Sequence, residues 1–146
     1  MEPALALTWR DKALAEIAGI KPHRVLRYGW QPRVVETDGY VDLFIRFTRR
    51  TPKPDDHGSV FLLRLRYMPD YETAGRQEAF CNPNESAEEG EKFWPKGMRG
   101  VTSANGRPGL CLVGTWACHS VHHRDRDGRA ASLNRLLWEI QRCLNE

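Results

Sequence analysis

Two periodicities divide the chain. Between Tyr40 and Thr48 every second residue is apolar, with Val41, Leu43, Ile45 and Phe47 on one side and Asp42 and Arg46 on the other. Such alternation marks a strand with one buried face. The run from Val60 to Tyr67 repeats it: Phe61, Leu63, Leu65 and Tyr67 share a face, and Arg64 and Arg66 oppose them. Gln77 to Cys81 reads as a weaker strand, and short strands are predicted at Val25 to Tyr28 and Val34 to Glu36, around Gly29 and Pro32. Between the two long strands, Thr51 to Gly58 carries prolines, aspartates and a glycine, which is turn chemistry.

At both ends the period becomes helical. Thr8 is placed to cap a helix, with Asp11 in its first turn, Leu14, Ile17 and Ala18 on one face, and Gly19 and Pro22 as a stop. Near the other end Leu133, Leu136, Leu137, Ile140 and Leu144 recur at helical spacing behind Ser132, a second cap. Asn82 to Gly90 is polar and acidic and reads as an exposed loop. Phe93-Trp94-Pro95 returns to the core, and Gly97 to Pro108 is expected to be irregular. Helix, strands, a long irregular segment and a final helix predict an α+β domain built on a four-stranded antiparallel meander.

Composition changes this picture little. With 146 residues, 40% hydrophobic and 28% charged, the chain has the makings of one globular domain and not of a disordered one. The net charge of +3 comes with arginines scattered along the chain, so nucleic acid is not an expected partner. No basic–apolar–small leader and no apolar run of about 20 residues is visible, so neither secretion nor a membrane span is expected. A cytoplasmic protein whose four cysteines are reduced thiols is the expectation.

Chemistry concentrates late in the chain. Cys111 lies in Pro108-Gly109-Leu110-Cys111-Leu112-Val113-Gly114, a short apolar run bounded by glycines. A cysteine between leucines is by default a small buried hydrophobe. A thiol at a tight turn ahead of an apolar helix is also where a nucleophile sits. Cys81 at a strand end and Cys143 inside the last helix read as packing. Cys118-His119-Ser120-Val121-His122-His123 is dense enough in soft ligands to raise zinc, yet no second cysteine pair stands at a finger-like spacing. From the residues alone, a nucleophile, a packed thiol and a small zinc- or RNA-binding domain all remain open.

Four segments carry a resemblance. Leu63-Arg64-Leu65-Arg66-Tyr67-Met68-Pro69-Asp70-Tyr71 resembles the third strand, and its exit, of the ubiquitin-conjugating E2 enzymes. Gly109-Leu110-Cys111-Leu112 is similar to the stretch around the E2 active-site cysteine, with Trp116 in the place of the tryptophan that follows it. The helix ending Ile140-Gln141-Arg142-Cys143-Leu144-Asn145-Glu146 resembles the helix after the E2 active site. Thr102-Ser103-Ala104-Asn105-Gly106-Arg107 resembles the Thr-x-Asn-Gly-Arg-like segment of tail-anchored E2s, although Asn105 lies closer to Cys111 than in those enzymes. The His-Pro-Asn of the usual E2 and the proline-rich run after the third strand are absent, the latter replaced by Glu72-Thr73-Ala74-Gly75-Arg76. The sequence stops with the helix after the cysteine. In this it is similar to bacterial E2-like proteins that are encoded beside E1-like and ubiquitin-like partners, some in antiviral defence.

The resemblance implies a UBC-like fold over residues 8–146, lacking the last E2 helices, and a thioester mechanism needing no cofactor or metal. Cys111 would take a ubiquitin-like modifier from an E1-like activating enzyme and pass it to an amine of a target protein. Asn105 or backbone N–H groups near Gly109 would donate to the oxyanion, His119, His122 or His123 would accept the amine's proton, and Asp125 or Asp127 would orient the amine. The first helix, with Arg10 and Lys12, would dock the E1-like partner. An E2-fold binding module without transfer activity is the alternative.

Overall fold

The computed structural model describes residues 8–84, 88–123 and 131–146. Its frame is a meander of four antiparallel strands, β1 (Gln31–Glu36), β2 (Val41–Thr48), β3 (Val60–Tyr67) and β4 (Gln77–Cys81), in the order β1-β2-β3-β4. The register sets Leu43 against Leu65, Ile45 against Leu63 and Phe47 against Phe61, so the alternating apolar sets of β2 and β3 fall on one face. Leu63 in turn faces Phe80 across β3 and β4. Two helices cover that face: α1 (Trp9–Ala18) through Ala13 and Ile17, and α4 (Leu133–Leu144) through Leu133, Leu136, Leu137, Ile140 and Leu144. Each such fully buried side chain contributes about 1.5–3 kcal/mol of transfer free energy. The result is the mixed α+β architecture expected from the pattern.

The helix caps stand where Thr8 and Ser132 predict them. Thr8 Oγ1 accepts the Asp11 N–H at 3.1 Å, and Ser132 Oγ accepts that of Arg135 at 3.3 Å. Polar anchors fix the far end of α4. Gln141 accepts from the Trp30 indole N–H at 2.9 Å and donates to the Thr48 carbonyl at 3.1 Å. The buried Arg49 donates from Nε to the Leu144 carbonyl at 3.1 Å and from Nη1 to Asp56 at 3.0 Å.

Two expectations are corrected. Val25 to Tyr28 is not a strand but the end of a helix, α2 (Pro22–Tyr28). Pro22 both ends the first helix and starts the second, because a proline at the first helical position gives up an N–H that has no partner there anyway. Gly29, at φ 69°, closes α2 in the left-handed conformation. The stretch expected to be irregular holds a hairpin, β5 (Val101–Ala104) with β6 (Arg107–Leu110). Asn105 and Gly106, at φ 53° and 81°, are its two-residue turn; only a type I′ turn has both central residues there, and its twist matches the strands. Pro108 and Gly109 break the strand signal of β6 and hide it from the pattern. A short helix α3 (Tyr71–Ala74) precedes β4, and a single π-helix, Ala117–His122, follows the cysteine segment. Among the described residues no helix is long and apolar enough to cross a membrane.

Candidate active site

Cys111 stands where the hairpin ends. Its N–H donates to the Gly100 carbonyl at 2.7 Å, one step beyond the Val101–Leu110 pair, so the hairpin ladder delivers it to a fixed place. Cys111 is part-exposed, whereas Cys81, Cys118 and Cys143 are buried. The reading of Cys81 and Cys143 as packing agrees with their placement, and Cys118, in the His/Cys segment, is buried as well. Burial also pushes the Cys81 thiol up to about 11, far from reactivity at neutral pH.

The residues after Cys111 form a loop anchored from below. The Thr115 hydroxyl lies 2.5 Å from the Leu110 carbonyl and 2.9 Å from that of Leu112, and it accepts the Cys118 N–H at 3.3 Å. The Gly114 carbonyl accepts two bonds from Arg76: its backbone N–H at 2.9 Å and its guanidinium Nη1 at 3.1 Å. Trp116 returns its N–H to the Arg76 carbonyl at 2.7 Å. Arg76 is only 1% exposed, although it is an arginine in a link between two elements. Its Nη2 reaches Glu16 of α1 and the Ala131 carbonyl, the latter at 3.0 Å. Glu16 in turn accepts the Leu133 N–H at the start of α4 at 2.8 Å. One buried cation thus ties α1, α4 and the Cys111 loop together.

Such close approach has steric conditions. Gly75 has φ +82°, and a Cβ there would lie 2.2 Å from the Thr115 carbonyl oxygen. At Gly109 a Cβ would come within 2.9 Å of Ala104 Cβ and 3.0 Å of Ala117 Cβ. Both glycines are therefore contacts between the loop and its support rather than turn residues alone.

The sequence-predicted site residues are not all brought together. Asn105 is exposed at the tip of the hairpin, the opposite end of β6 from Cys111. At the rise of an antiparallel strand, the five residue steps from Gly106 to Cys111 span roughly 17 Å. Asn105 is a turn former here and is out of reach of an oxyanion at the thiol; closeness in sequence is misleading because a strand is extended. His119 is buried, and its Nε2 accepts the Gly114 N–H at 2.9 Å. An N–H only donates, so this nitrogen is unprotonated and the neutral ring carries its proton on Nδ1. Its accepting lone pair is thus committed to the loop, and His119 is a strut instead of a base. His122 is exposed; its Nε2 lies 2.8 Å from the Ser103 carbonyl and donates to it, which leaves Nδ1 as the accepting nitrogen of the neutral ring. Asp125 and Asp127 lie outside the described residues. Among the described residues no three His, Cys, Asp or Glu side chains come together as a metal site would require.

Two buried residues escaped the pattern, Arg76 and Glu78. Glu78 lies on β4 opposite Leu65, on the core face of the sheet, and is 9% exposed. Its Oε1 and Oε2 lie 3.0 and 3.3 Å from the Ala117 nitrogen, whose N–H they accept. Burial pushes its carboxyl up to about 7, against the opposing pull of the N–H groups of Ala117, Glu78 itself and Leu110 and of the charge on Arg107. The signal was available: Glu78 has the same parity as Phe80, so a charged residue stood in an apolar set. Glu78 also lines a cleft of about 180 Å³ with Glu89, Glu91, Trp94, Arg107 and Pro108. The Arg107 guanidinium lies over the Trp116 ring at 5.1 Å, which ties the cleft wall to the loop's far end.

Compared with family models, with curated proteins and with solved structures, the chain matches none.

Proposed function

We propose that this chain is an E2-like conjugating enzyme with Cys111 as its thioester nucleophile. The observation that carries the reading is the placement of Cys111: it reaches the surface at the end of a ladder-paired strand, on a loop held at Gly114, Trp116 and Ala117 by buried groups. The other three cysteines are packed away. The order of elements, a helix, a four-stranded meander, a cysteine segment and a helix, supports the UBC-like part of the reading.

The chemistry is an exchange followed by an aminolysis. The Cys111 thiolate attacks the thioester carbonyl of a ubiquitin-like modifier on an E1-like enzyme, and the E1 thiolate leaves. An amine of the target then attacks the Cys111 thioester, the Cys111 thiolate leaves, and the nitrogen loses a proton to give an amide. A thiol ionising at about 8.5 is already a few per cent thiolate at neutral pH. The loop contributes position: its anchors remove the freedom that a surface thiol otherwise loses at the transition state. His122 is exposed and has an accepting nitrogen for the amine's proton, and His123 beside it is exposed too.

The test is charging. Incubated with ATP, a cognate E1-like enzyme and a ubiquitin-like protein, the chain is expected to form an adduct that reductant removes. Cys111→Ser converts it to a reductant-resistant ester, and Cys111→Ala forms none. An adduct of the same yield on Cys111→Ala refutes the assignment. A second reading, an E2-fold module that binds the modifier without carrying it, is favoured by one observation, the removal of Asn105 to the far end of the hairpin. Binding of the modifier with no charging under these conditions is its signature.

A further inference from the structure

We propose that Glu78 is the positioning residue of the Cys111 segment, a buried carboxyl that holds the far end of the loop at Ala117 and weakens or tightens that hold as it gains or loses its proton. The inference rests on the reading of Cys111 as the nucleophile, but its geometry is independent of the modifier.

Glu78 stands on a rigid support. It is mid-strand in β4 and faces Leu65 of β3, so its backbone cannot follow a movement of the loop. Its side chain points across to β6 and the π-helix. There it accepts the Ala117 N–H, the first of the helix that closes the Cys111 loop. The carboxyl therefore fixes the point where the segment 111–116 ends, and no other side chain on β4 does so from the core face: Phe80 packs against Trp94.

A carboxylate in this place is costly. Ordinary solvation is lost, and the compensating cation, Arg107, is exposed on β6. Glu89, paired with Arg64 at 2.6 Å, and Glu91 line the same cleft and offer no cation to it. His119, neutral while it accepts the Gly114 N–H, belongs to the helix that Glu78 caps. A leucine or methionine would fill the position without that cost, but it would leave the Ala117 N–H without an acceptor. An ionisable group kept where an apolar one packs more cheaply points to a role in the site beside it. Protonated, Glu78 holds Ala117 by a neutral bond. Ionised, it holds the same N–H by a charge-assisted bond and adds a negative charge where the Cys111 loop ends.

The experiment is the pH profile of Cys111 alkylation by iodoacetamide, from pH 5.5 to 9, followed by peptide mass spectrometry on the full chain. Wild-type reactivity is expected to rise less steeply than a single thiol above pH 7, because the Glu78 anion opposes the thiolate. Glu78→Gln, which keeps an acceptor for Ala117 but no charge, is expected to match wild type at pH 5.5 and to react at least about twofold faster at pH 8.5, where only wild type carries the anion. Glu78→Ala, which loses the acceptor, is expected to differ from both at pH 5.5 as well. Profiles of wild type and Glu78→Gln that coincide overturn the proposal. So does a Glu78→Ala profile identical to that of Glu78→Gln, since holding would then count for nothing. Should Glu78→Ala fail to fold, amide exchange at Ala117 decides. Protection that grows across pH 6–8 in wild type and stays flat in Glu78→Gln supports the hold; equal pH dependence overturns it. A chain that passes these tests but never charges with a modifier disproves the proposed function and leaves this one standing.

Discussion

Replacing Arg76 by methionine isolates the support beneath the cysteine loop. Methionine keeps most of the length and the apolar stem, but it removes the guanidinium that donates to the Gly114 and Ala131 carbonyls and pairs with Glu16. Breaking a buried ion pair from one side costs about 3–5 kcal/mol, chiefly by stranding the other charge. Glu16 is not wholly stranded. Its side chain is 21% exposed and it keeps the Leu133 N–H, so the lower part of that range applies. The Gly114 carbonyl also keeps a partner in the Arg76 backbone N–H, which limits its loss to about 1 kcal/mol. The sum is about 3–4 kcal/mol, a large share of the roughly 7–15 kcal/mol expected of a domain this size. Urea unfolding should show the midpoint moving with little change in slope, and the melting temperature should fall by about 10 °C. Arg76→Lys keeps the charge without the fork and should lose about half as much. In a double-mutant cycle with Glu16→Gln, a coupling of at least about 1 kcal/mol is expected. A methionine variant within 1 kcal/mol of wild type would refute the reasoning, because the ion pair would then contribute no more than an apolar contact.

Further expectations follow from the same region. The Glu78 carboxyl is held at about 7 in the folded chain against an ordinary 4.5, so the fold binds the extra proton between these values. Its stabilising contribution is complete below pH 4.5 and is lost as pH rises through 7; Glu78→Gln should therefore be more stable than wild type at pH 8, by up to about 3 kcal/mol, with the gap closing by pH 4.5. Equal stability differences at both pH values in chemical denaturation would contradict this. Gly75→Ala meets the Thr115 carbonyl with its Cβ at 2.2 Å while strained at φ +82°, so a loss of at least about 3 kcal/mol is expected, with Cys111 alkylation altered in the folded fraction. Asn105→Gly, suited to the same turn, should change stability by under about 0.5 kcal/mol and leave charging intact, whereas Asn105→Ala should cost about 1 kcal/mol. A charging defect in Asn105→Gly with unchanged stability would restore Asn105 to the chemistry.

Much of the frame was legible because its signals are local. The alternation in Val41–Phe47 and Phe61–Tyr67, the caps Thr8 and Ser132, and the helical spacing from Leu133 to Leu144 each need only a few neighbouring residues to be read. Where local signals compete, reading failed. The apolar Val25 and Leu26 looked like a strand until Pro22 and Gly29 were seen to bracket a helix. Pro108 and Gly109 concealed the strand that pairs with Val101–Ala104, so the hairpin read as irregular chain.

Sequence by itself determined the α+β frame and the placing of Cys111 in a glycine-bounded segment ahead of the last helix. Only the tertiary structure decided which cysteine reaches the surface and what surrounds it. Asn105, six positions from Cys111, is carried away by an extended strand. Glu16, Arg76, Glu78 and Ala131, scattered over the chain, converge beneath the loop. The physical reason is that hydrogen-bonding and charge compensation act across space. A pattern of periods records which face a residue takes, but which buried polar group satisfies which partner is settled only when the sheet and both helices have closed around them.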